Sequence, residues 1–219
     1  MKLITLDQLN TFFYLINKLS LNFSKLAKES AEIKSSLKVP KDSKDEPILK
    51  IHKMGSDSLR TNAERISKAD QSIREMAKNM LQSMYFAKGI GLAAPQIGIS
   101  KQLIVIDLNL EEAATPPVVL INPEIISVGA SLNTYEEGCL SIPGIYLDVV
   151  RPSTVKIKYR DEMGRPRKMN SDGLLARCIQ HEIDHLNGVL FVDKVSDKDL
   201  LRKELANNGY KLSDVKSDS

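Results

Sequence analysis

The feature that most constrains this chain is a pair of histidines, His181 and His185, placed four residues apart in the segment 172–186. On a helix these positions share one face about a turn apart, so both imidazoles can reach one metal ion. Glu182 lies between them as in the pattern H-E-x-x-H, in which the glutamate serves as a base and not as a ligand. The apolar neighbours are Leu174, Leu175, Ile179, Ile183 and Leu186. They predict a largely buried helix, and burying histidine and glutamate without partners would be costly, so the segment predicts a metal site.

A catalytic metal site needs a third protein ligand and one open position. The candidates are Cys139, Cys178, His52 and an acidic residue. Cys178 shares a helix face with the histidines, but it lies seven residues before His185, which is about 10.5 Å along a helix axis. With metal–ligand bonds of about 2.0–2.3 Å, one ion can hardly bind both Cys178 and His185. We therefore interpret Cys178 as a core residue beside the site. Cys139 remains, although a lone cysteine is usually just a buried apolar residue.

Composition narrows the class of protein. Hydrophobic residues make up 42% of the chain and charged residues 27%, as in soluble globular proteins. The net charge of +3 and the absence of tryptophan do not indicate nucleic-acid binding. No apolar run reaches the roughly 18 residues that span a membrane, and no secretory signal is recognisable. Two cysteines make no disulfide framework, so we expect a soluble intracellular protein.

Hydrophobic periodicity predicts an α+β fold. Helical spacing of apolar residues indicates a helix over 70–87 with Asp70 as its N-cap. Residues rich in β-branched side chains predict strands over 102–108 and 118–128, and the segment 153–169 reads as a hairpin that turns at Met163-Gly164. A helix over 172–186 follows, ended by Asn187-Gly188. Strands followed by a late helix are typical of α+β proteins.

Three regions follow from these patterns. Residues 1–45 form an N-terminal extension, with an amphipathic helical pattern over 3–28 and a polar linker over 30–46. Docking on the domain, a partner, an address or plain disorder remain open for it. Residues 46–195 are the predicted catalytic domain. Residues 196–219 are a C-terminal tail with a polar or amphipathic helix over 197–211.

Three segments, in this order, resemble the signature motifs of peptide deformylases: Gly89-Ile90-Gly91-Leu92-Ala93-Ala94-Pro95-Gln96, Glu137-Gly138-Cys139-Leu140-Ser141 and Gln180-His181-Glu182-Ile183-Asp184-His185-Leu186. The similarity runs from about Pro47 to Val195. It implies the fold of that family, with antiparallel and mixed sheets packed around a central helix that carries H-E-x-x-H. It also implies removal of the formyl group from the N-terminal formyl-methionine of nascent polypeptides.

The resemblance also implies roles for individual residues. Cys139, His181 and His185 would hold one divalent metal ion, natively Fe²⁺, with Zn²⁺, Ni²⁺ or Co²⁺ as substitutes. Glu182 would be the general base and acid. Gln96 and the backbone N–H of Leu140 would bind the carbonyl oxygen of the substrate.

The substrate pocket is predicted around the first motif. Gly89 and Gly91 would let the backbone approach a substrate closely. A dinucleotide loop is a poorer interpretation, because these glycines follow a predicted helix and Ala94 stands at the third glycine position. By similarity to the family, the walls for the methionine side chain are Ile90, Leu174, Cys178 and His181.

Several neighbours are candidates for supporting roles. Asp184 could accept the free N–H of a ligand histidine or be a solvated helix charge. Glu137 and Arg151 could pair behind Cys139 or lie at the surface. Tyr146 and Arg177 depart from many bacterial members, and Arg177 resembles the plastid and cyanobacterial type, which leaves peptide preference beyond the first residue open.

Two other functions fit parts of the pattern. A zinc metalloprotease would take its third ligand after His185, where no histidine follows. A catalytically silent member of the fold could act as a binding module at the ribosome. We expect nascent formylated polypeptide as the partner, with the ribosome a further candidate, no nucleic-acid specificity and no membrane. The expected location is the bacterial cytoplasm, with a plastid as the alternative.

Overall fold

A five-stranded antiparallel sheet is the largest layer of the protein in the computed structural model, which describes residues 37, 39–41, 48–110 and 116–216. Its strands lie in the order β1-β2-β3-β6-β7. Their bounds are Gly91–Ala93 for β1, Leu103–Ile106 for β2, Val118–Val128 for β3, Thr154–Arg160 for β6 and Pro166–Asp172 for β7. A separate hairpin consists of β4 (Leu132–Cys139) and β5 (Ile142–Pro152). The predicted strands and the 153–169 hairpin are confirmed, whereas the sequence patterns did not reveal β1 or the full length of β4–β5.

In the part of the chain that the structure describes, three α-helices pack on these sheets: α1 (Gln71–Phe86), α2 (Gly173–Leu186) and α3 (Lys198–Asn207). The side chain of Asp70 caps α1 by accepting hydrogen bonds from the backbone N–H groups of Ser72 and Ile73. Short 3-10 turns are Asp57–Leu59, Ala94–Ile97, Phe191–Lys194 and Leu212–Asp214. The helices predicted over 70–87, 172–186 and 197–211 are confirmed, and the fold class is α+β. No helix in the described part of the chain is long and apolar enough to cross a membrane.

Among the described residues, two apolar clusters form the core. The first joins the buried face of α1 to the strands β1, β2 and β3, with Met80, Leu81 and Met84 fully buried. The second joins β5 to the segment 190–195 and to α3, where Leu201 and Leu205 are buried. The tail after residue 195 is therefore packed on the domain through α3 and as far as Lys216, whose backbone N–H donates to Asp193.

Helix α2 is buried on all sides from Ala176 to Ile183. Leu174, which we expected to be among the buried residues, is 36% exposed. It lies in the first turn of α2, and the buried part of the helix begins at Ala176. The expectation of a buried helix is correct for the ligand-bearing turns and wrong for Leu174.

Part of the predicted extension packs on the first cluster. Val39 is buried there, and Lys41 forms an ion pair with Asp107, which follows β2. The helical pattern over 3–28 lies outside the residues that the structure describes.

Candidate active site

The three predicted metal ligands meet in space. One ligand atom from each of Cys139, His181 and His185 lies within 4.8 Å of the others. Cys139 ends β4, and both histidines project from α2. The Cys139 Sγ and His185 Nε2 atoms are 3.3 Å apart, a separation that two donors bound at about 2.0–2.3 Å to one tetrahedral ion would have. A thiolate and two imidazoles fit a first-row divalent metal.

Glu137 orients the first histidine. Its Oε2 atom lies 2.9 Å from His181 Nδ1, so a proton on Nδ1 leaves Nε2 free to donate its lone pair to a metal. We considered Asp184 for this contact, but the Asp184 carboxylate instead accepts a 2.6 Å hydrogen bond from Arg151 Nη1. The hydrogen-bond partner of His181 Nδ1 therefore lies on β4 and not on α2, because the register of the β4–β5 hairpin places Glu137 next to the imidazole.

Two arginines hold Glu137 in place. Arg151 donates to both carboxylate oxygens at 2.6 and 2.9 Å, and Arg177 Nη1 donates to Oε1 at 2.8 Å. Burial alone would raise the pKa of Glu137, but the hydrogen bonds from Arg151 and His181 hold it well below its usual range. The predicted Glu137–Arg151 pair is therefore formed, and it is buried.

Arg177 completes this network and does not face outward. Its guanidinium also donates to the carbonyl oxygens of Val149 and Asn133, and it lies 5.3 Å from the centre of the Tyr135 ring. Sequence patterns did not predict this role. The strand alternation of β5, which buries Val149 and Arg151 on one face, is the signal that could have revealed it.

Glu182 is buried beside the cluster with an unpaired oxygen. Its Oε2 atom has no hydrogen-bond partner among the described residues. Burial, with repulsion from Glu137 and despite the opposing effect of His181, raises the pKa of Glu182 to about 7. A carboxyl group with this pKa can take up and release a proton near neutral pH.

Gly91 allows Glu182 to occupy this position. A Cβ atom on Gly91 would overlap Glu182 Oε1 and lie 2.7 Å from the Sγ atom of Cys178. The backbone of β1 thus passes directly over the two side chains. This close approach is to side chains of α2, and the approach of a substrate to the glycines stays a prediction.

Gln96 points its amide at the cluster. Its Oε1 atom accepts a hydrogen bond from Ala93 N, which leaves Nε2 facing Ser141 Oγ at 3.2 Å and Cys139 Sγ at 3.5 Å. Leu140 lies in the turn between β4 and β5, next to Cys139, and a Cβ atom on Gly89 would lie 2.5 Å from Leu140 Cδ1. Both predicted donor residues therefore border the ligands.

The remaining predicted pocket residues are divided. Cys178 Sγ lies 3.9 Å from the carbonyl oxygen of Ile90, so these two adjoin Gly91. Cys178 is outside the ligand cluster, as the span along the helix predicts, and burial raises the pKa of its thiol. Leu174 is the outlier, because it lies at the surface end of α2. His52, the other histidine, is also outside the cluster and contacts Ser56.

The His185 ring has one nitrogen toward Cys139 and the other, Nδ1, without a hydrogen-bond partner among the described residues. Burial, together with the positive charge of Arg151, lowers the pKa of His185 well below its usual range. A neutral imidazole is the form that binds a metal.

A model of the polypeptide deformylase family matches residues 48–200 of this chain. The chain belongs to the peptide deformylase family. It is a hydrolase that removes the formyl group from nascent polypeptides. Peptide deformylases are metal-dependent enzymes, and the Cys139, His181 and His185 cluster is a possible metal site. Family membership decides against the zinc metalloprotease alternative.

Named relatives and solved structures agree with this assignment. The chain is 63% identical to a peptide deformylase of Prochlorococcus marinus (strain AS9601) over 194 residues, which cover 89% of this chain and 96% of that protein. A peptide deformylase of Synechococcus sp. (strain CC9605) is 60% identical over 196 residues, or 90% and 98% of the two chains. These matches are longer than the segment 46–195, so the similarity extends beyond the boundaries that the motifs alone indicate.

Among solved structures, a Synechococcus elongatus peptide deformylase in complex with actinonin aligns with a TM-score of 0.82 and 52% identity, over 84% of this chain and 100% of that one. A plant peptide deformylase aligns with a TM-score of 0.70 and 41% identity, over 76% and 91%. The cyanobacterial relatives agree with the type that Arg177 suggested.

Proposed function

We propose that Cys139, His181 and His185 hold one divalent metal ion, and that this ion is the centre at which formyl-methionine is deformylated. The observation that carries the proposal is the convergence of a thiolate donor from β4 and two imidazole donors from α2 within 4.8 Å, next to a buried carboxyl group. One thiolate and two neutral imidazoles would leave a divalent ion with a net charge of +1. When bound, the ion supplies Lewis acidity toward a carbonyl oxygen and lowers the pKa of water. The family resemblance favours Fe²⁺ as the native ion, with Zn²⁺, Ni²⁺ or Co²⁺ as substitutes.

Glu182 is proposed to move the proton. As water attacks the formyl carbon, the carboxylate accepts one proton, and it then returns that proton to the leaving amine while formate departs. Its pKa of about 7, raised by burial, supports both halves of this role. Gly91 supports it sterically, because a side chain there would displace the carboxylate.

Gln96 and Leu140 are proposed to stabilise the negative oxygen that develops on the formyl carbonyl. The Gln96 amide is already oriented, because Ala93 N occupies its oxygen and leaves the NH₂ group facing Cys139. Removing one donor of this kind typically costs about 2.7–4 kcal/mol of transition-state stabilisation. Loss of the Gln96 amide in a Gln96→Ala variant should therefore lower kcat.

The methionine side chain is proposed to bind along Gly89, Ile90 and Gly91, against Cys178. The contact between Cys178 Sγ and the Ile90 carbonyl supports this position. Leu174 would contribute an apolar edge at the mouth, since it is partly exposed.

The test is anaerobic purification followed by metal quantification and a formate-release assay on formyl-methionyl-alanine. We expect about one metal per chain and formate release that is lost on chelation and restored by Fe²⁺. The same peptide without its formyl group, and a longer peptide with an internal bond, serve as controls. Formate release that is unchanged in a fully metal-free sample would defeat the proposed centre. The internal peptide bond of the longer peptide should stay intact.

The nascent formylated polypeptide is the proposed substrate, and ribosome contact through α3 is a further hypothesis. Leu201 and Leu205 hold α3 on the second apolar cluster, so deletion of the tail would also remove core contacts. Replacing the exposed Arg202 and Lys203 by glutamine is a sharper test. Co-sedimentation with ribosomes that persists in this variant would rule out the role of that face. The bacterial cytoplasm, or a plastid, stays the predicted location, which cell fractionation can decide.

A further inference from the structure

A buried ion pair outside the catalytic centre joins a lysine that precedes the segment matched by the family model to an aspartate within that segment. Lys41 Nζ is 2.8 Å from Asp107 Oδ2, and the two side chains are 7% and 1% exposed. The family match begins at residue 48, so Lys41 precedes it. The same ammonium group donates to the carbonyl oxygen of Asn109 at 2.8 Å.

Asp107 depends on this lysine for its counter-charge. Its carboxylate also accepts hydrogen bonds from the Tyr85 hydroxyl at 2.7 Å and from Asn109 N at 2.9 Å. Among the described residues, Lys41 is the one cation that pairs with it. A buried carboxylate is strongly destabilised when a cationic partner is removed, so Asp107 and its backbone respond to the presence of Lys41.

The backbone of Asp107 leads directly to the substrate pocket. Asp107 N donates a 2.9 Å hydrogen bond to the carbonyl oxygen of Ile90. This bond continues the β1–β2 ladder, in which Gly91 pairs with Ile106. The Ile90 carbonyl is the group that Cys178 Sγ approaches.

Apolar contacts reinforce the same connection. Val39, two residues before Lys41, is 9% exposed and belongs to the first apolar cluster. That cluster includes Leu92 from β1, and Leu140 packs against it. The segment 39–41 thus contacts the structure around the motif 89–96 in two ways: through the ion pair of Lys41 with Asp107 and through the packing of Val39.

We infer that Lys41 is a positioning residue for the substrate wall, acting through Asp107 on the Ile90 carbonyl. This inference rests on the proposed position of the methionine side chain along Gly89, Ile90 and Gly91. The segment before the family match is then part of the working enzyme. It does not touch the reacting atoms, so its loss should weaken substrate binding more than it slows the chemical step.

The experiment compares full-length wild type with Lys41→Met, a variant of similar length that lacks the charge. We expect KM for formyl-methionyl-alanine to rise about tenfold, below the roughly hundredfold that a misplacement of ~1 Å can cost. Expected kcat and metal content stay near those of wild type. Lys41→Arg, which keeps the charge, should recover most of the lost affinity.

A matched control separates positioning from general stability. Leu205→Ala removes a buried side chain from the second apolar cluster, away from Ile90, and should lower stability without changing KM. Amide hydrogen exchange gives a direct readout, because the Asp107 N–H that binds Ile90 should exchange faster in Lys41→Met and not in Leu205→Ala. If Lys41→Met does not fold, Val39→Ala loosens the same segment while keeping the charge, and a two- to threefold rise in KM is expected.

The positioning role is wrong if the wild-type enzyme is active and Lys41→Met changes neither KM nor the rate of amide hydrogen exchange at Asp107. If Val39→Ala is tested instead, an unchanged KM would also overturn the positioning role. A wild-type chain that is inactive on formyl-methionyl-alanine at full metal content would instead overturn the proposed function. The two failures are therefore distinguishable.

Discussion

Helices α1 and α2 have similar lengths, yet they bury different kinds of side chain. The buried residues of α1 are apolar apart from Ser83 and the tip of Tyr85. Those of α2 include one polar and four ionisable side chains: Arg177, Gln180, His181, Glu182 and His185. The first helix is held by apolar contacts on one face. The second can be buried only where other elements supply partners, and this requirement links its folding to the active site.

The partners of α2 come mainly from the β4–β5 hairpin. Glu137 serves His181 and Arg177, and the carbonyl of Pro152 accepts from Gln180. Glu182 Oε2 and His185 Nδ1 are left without partners in the described part of the chain. In α1, by contrast, Ser83 Oγ is satisfied by Leu49 N. Unpaired buried polar atoms on α2 are thus concentrated where the chemistry is proposed to occur.

The largest expected effect belongs to the unpaired carboxylate of α2. Glu182→Ala should lower kcat/KM by about 10²–10⁴-fold, the usual contribution of a general acid–base group, while metal content stays normal. Glu75→Ala on the exposed side of α1 is the matched control and should leave activity unchanged. Retained turnover at normal metal content in Glu182→Ala would defeat the mechanism.

The next effect belongs to the apolar face of α1. Met80 is fully buried, so Met80→Ala should lower the free energy of unfolding by about 2–5 kcal/mol. Urea denaturation measures this change, and kcat/KM per folded molecule should match wild type. Met163→Ala, at a position that is 52% exposed, is the control. A loss of catalysis in folded Met80→Ala would remove the contrast between the two helices.

Glu137→Gln tests the residue of β4 that accepts hydrogen bonds from His181 and Arg177 of α2. An amide offers one acceptor oxygen, whereas four N–H donors from Arg151, Arg177 and His181 share the two carboxylate oxygens. Metal affinity or activity should therefore fall by about 10–100-fold. Metal titration and formate release measure the two quantities. Glu136→Gln, at the exposed neighbouring position, should behave as wild type. Equal behaviour of the two variants would mean that Glu137 does not support the site.

The smallest effect is at the start of α1. Hydrogen bonds from the Ser72 side chain and from Ile73 N lower the pKa of Asp70. A carboxyl group whose folded pKa is depressed stabilises the protein above its unfolded pKa of about 3.9, and the stabilisation is lost as pH falls through the folded pKa. Asp70→Ala should therefore lower Tm slightly at pH 7, and the difference from wild type should shrink in acid.

Asp70→Asn keeps a capping side chain without the charge and serves as the control. Its Tm difference from Asp70→Ala should not depend on pH between about 2 and 5. A wild-type advantage over Asp70→Ala that persists unchanged at pH 2 would show that the charge contributes nothing.

The contrast between the helices also explains which predictions succeeded. The burial of Met80 and Met84 follows from 3.6-residue periodicity, because a one-faced helix is a local property. The span between Cys178 and His185 excluded Cys178 by helix geometry alone. The contact of Glu137 with His181 was not derivable in this way. It depends on the register of a hairpin that begins more than forty residues earlier, so the sequence indicates Asp184, a neighbour on α2 itself, as the candidate acceptor.

The amino-acid sequence by itself determined the type of fold and the family, because ordered motifs and helical spacing are encoded along the chain. Through the resemblance of its motifs it also indicated the three residues that the structure brings together. Tertiary structure decided which charges are shared: Arg177 and Arg151 on Glu137, Asp184 on Arg151, and Lys41 on Asp107. It also decided that Leu174 reaches the surface while α2 is buried from Ala176 to Ile183. The physical reason is that a buried charge needs a partner at about 3 Å, and residues far apart along the chain reach that distance only once the sheets and helices have packed.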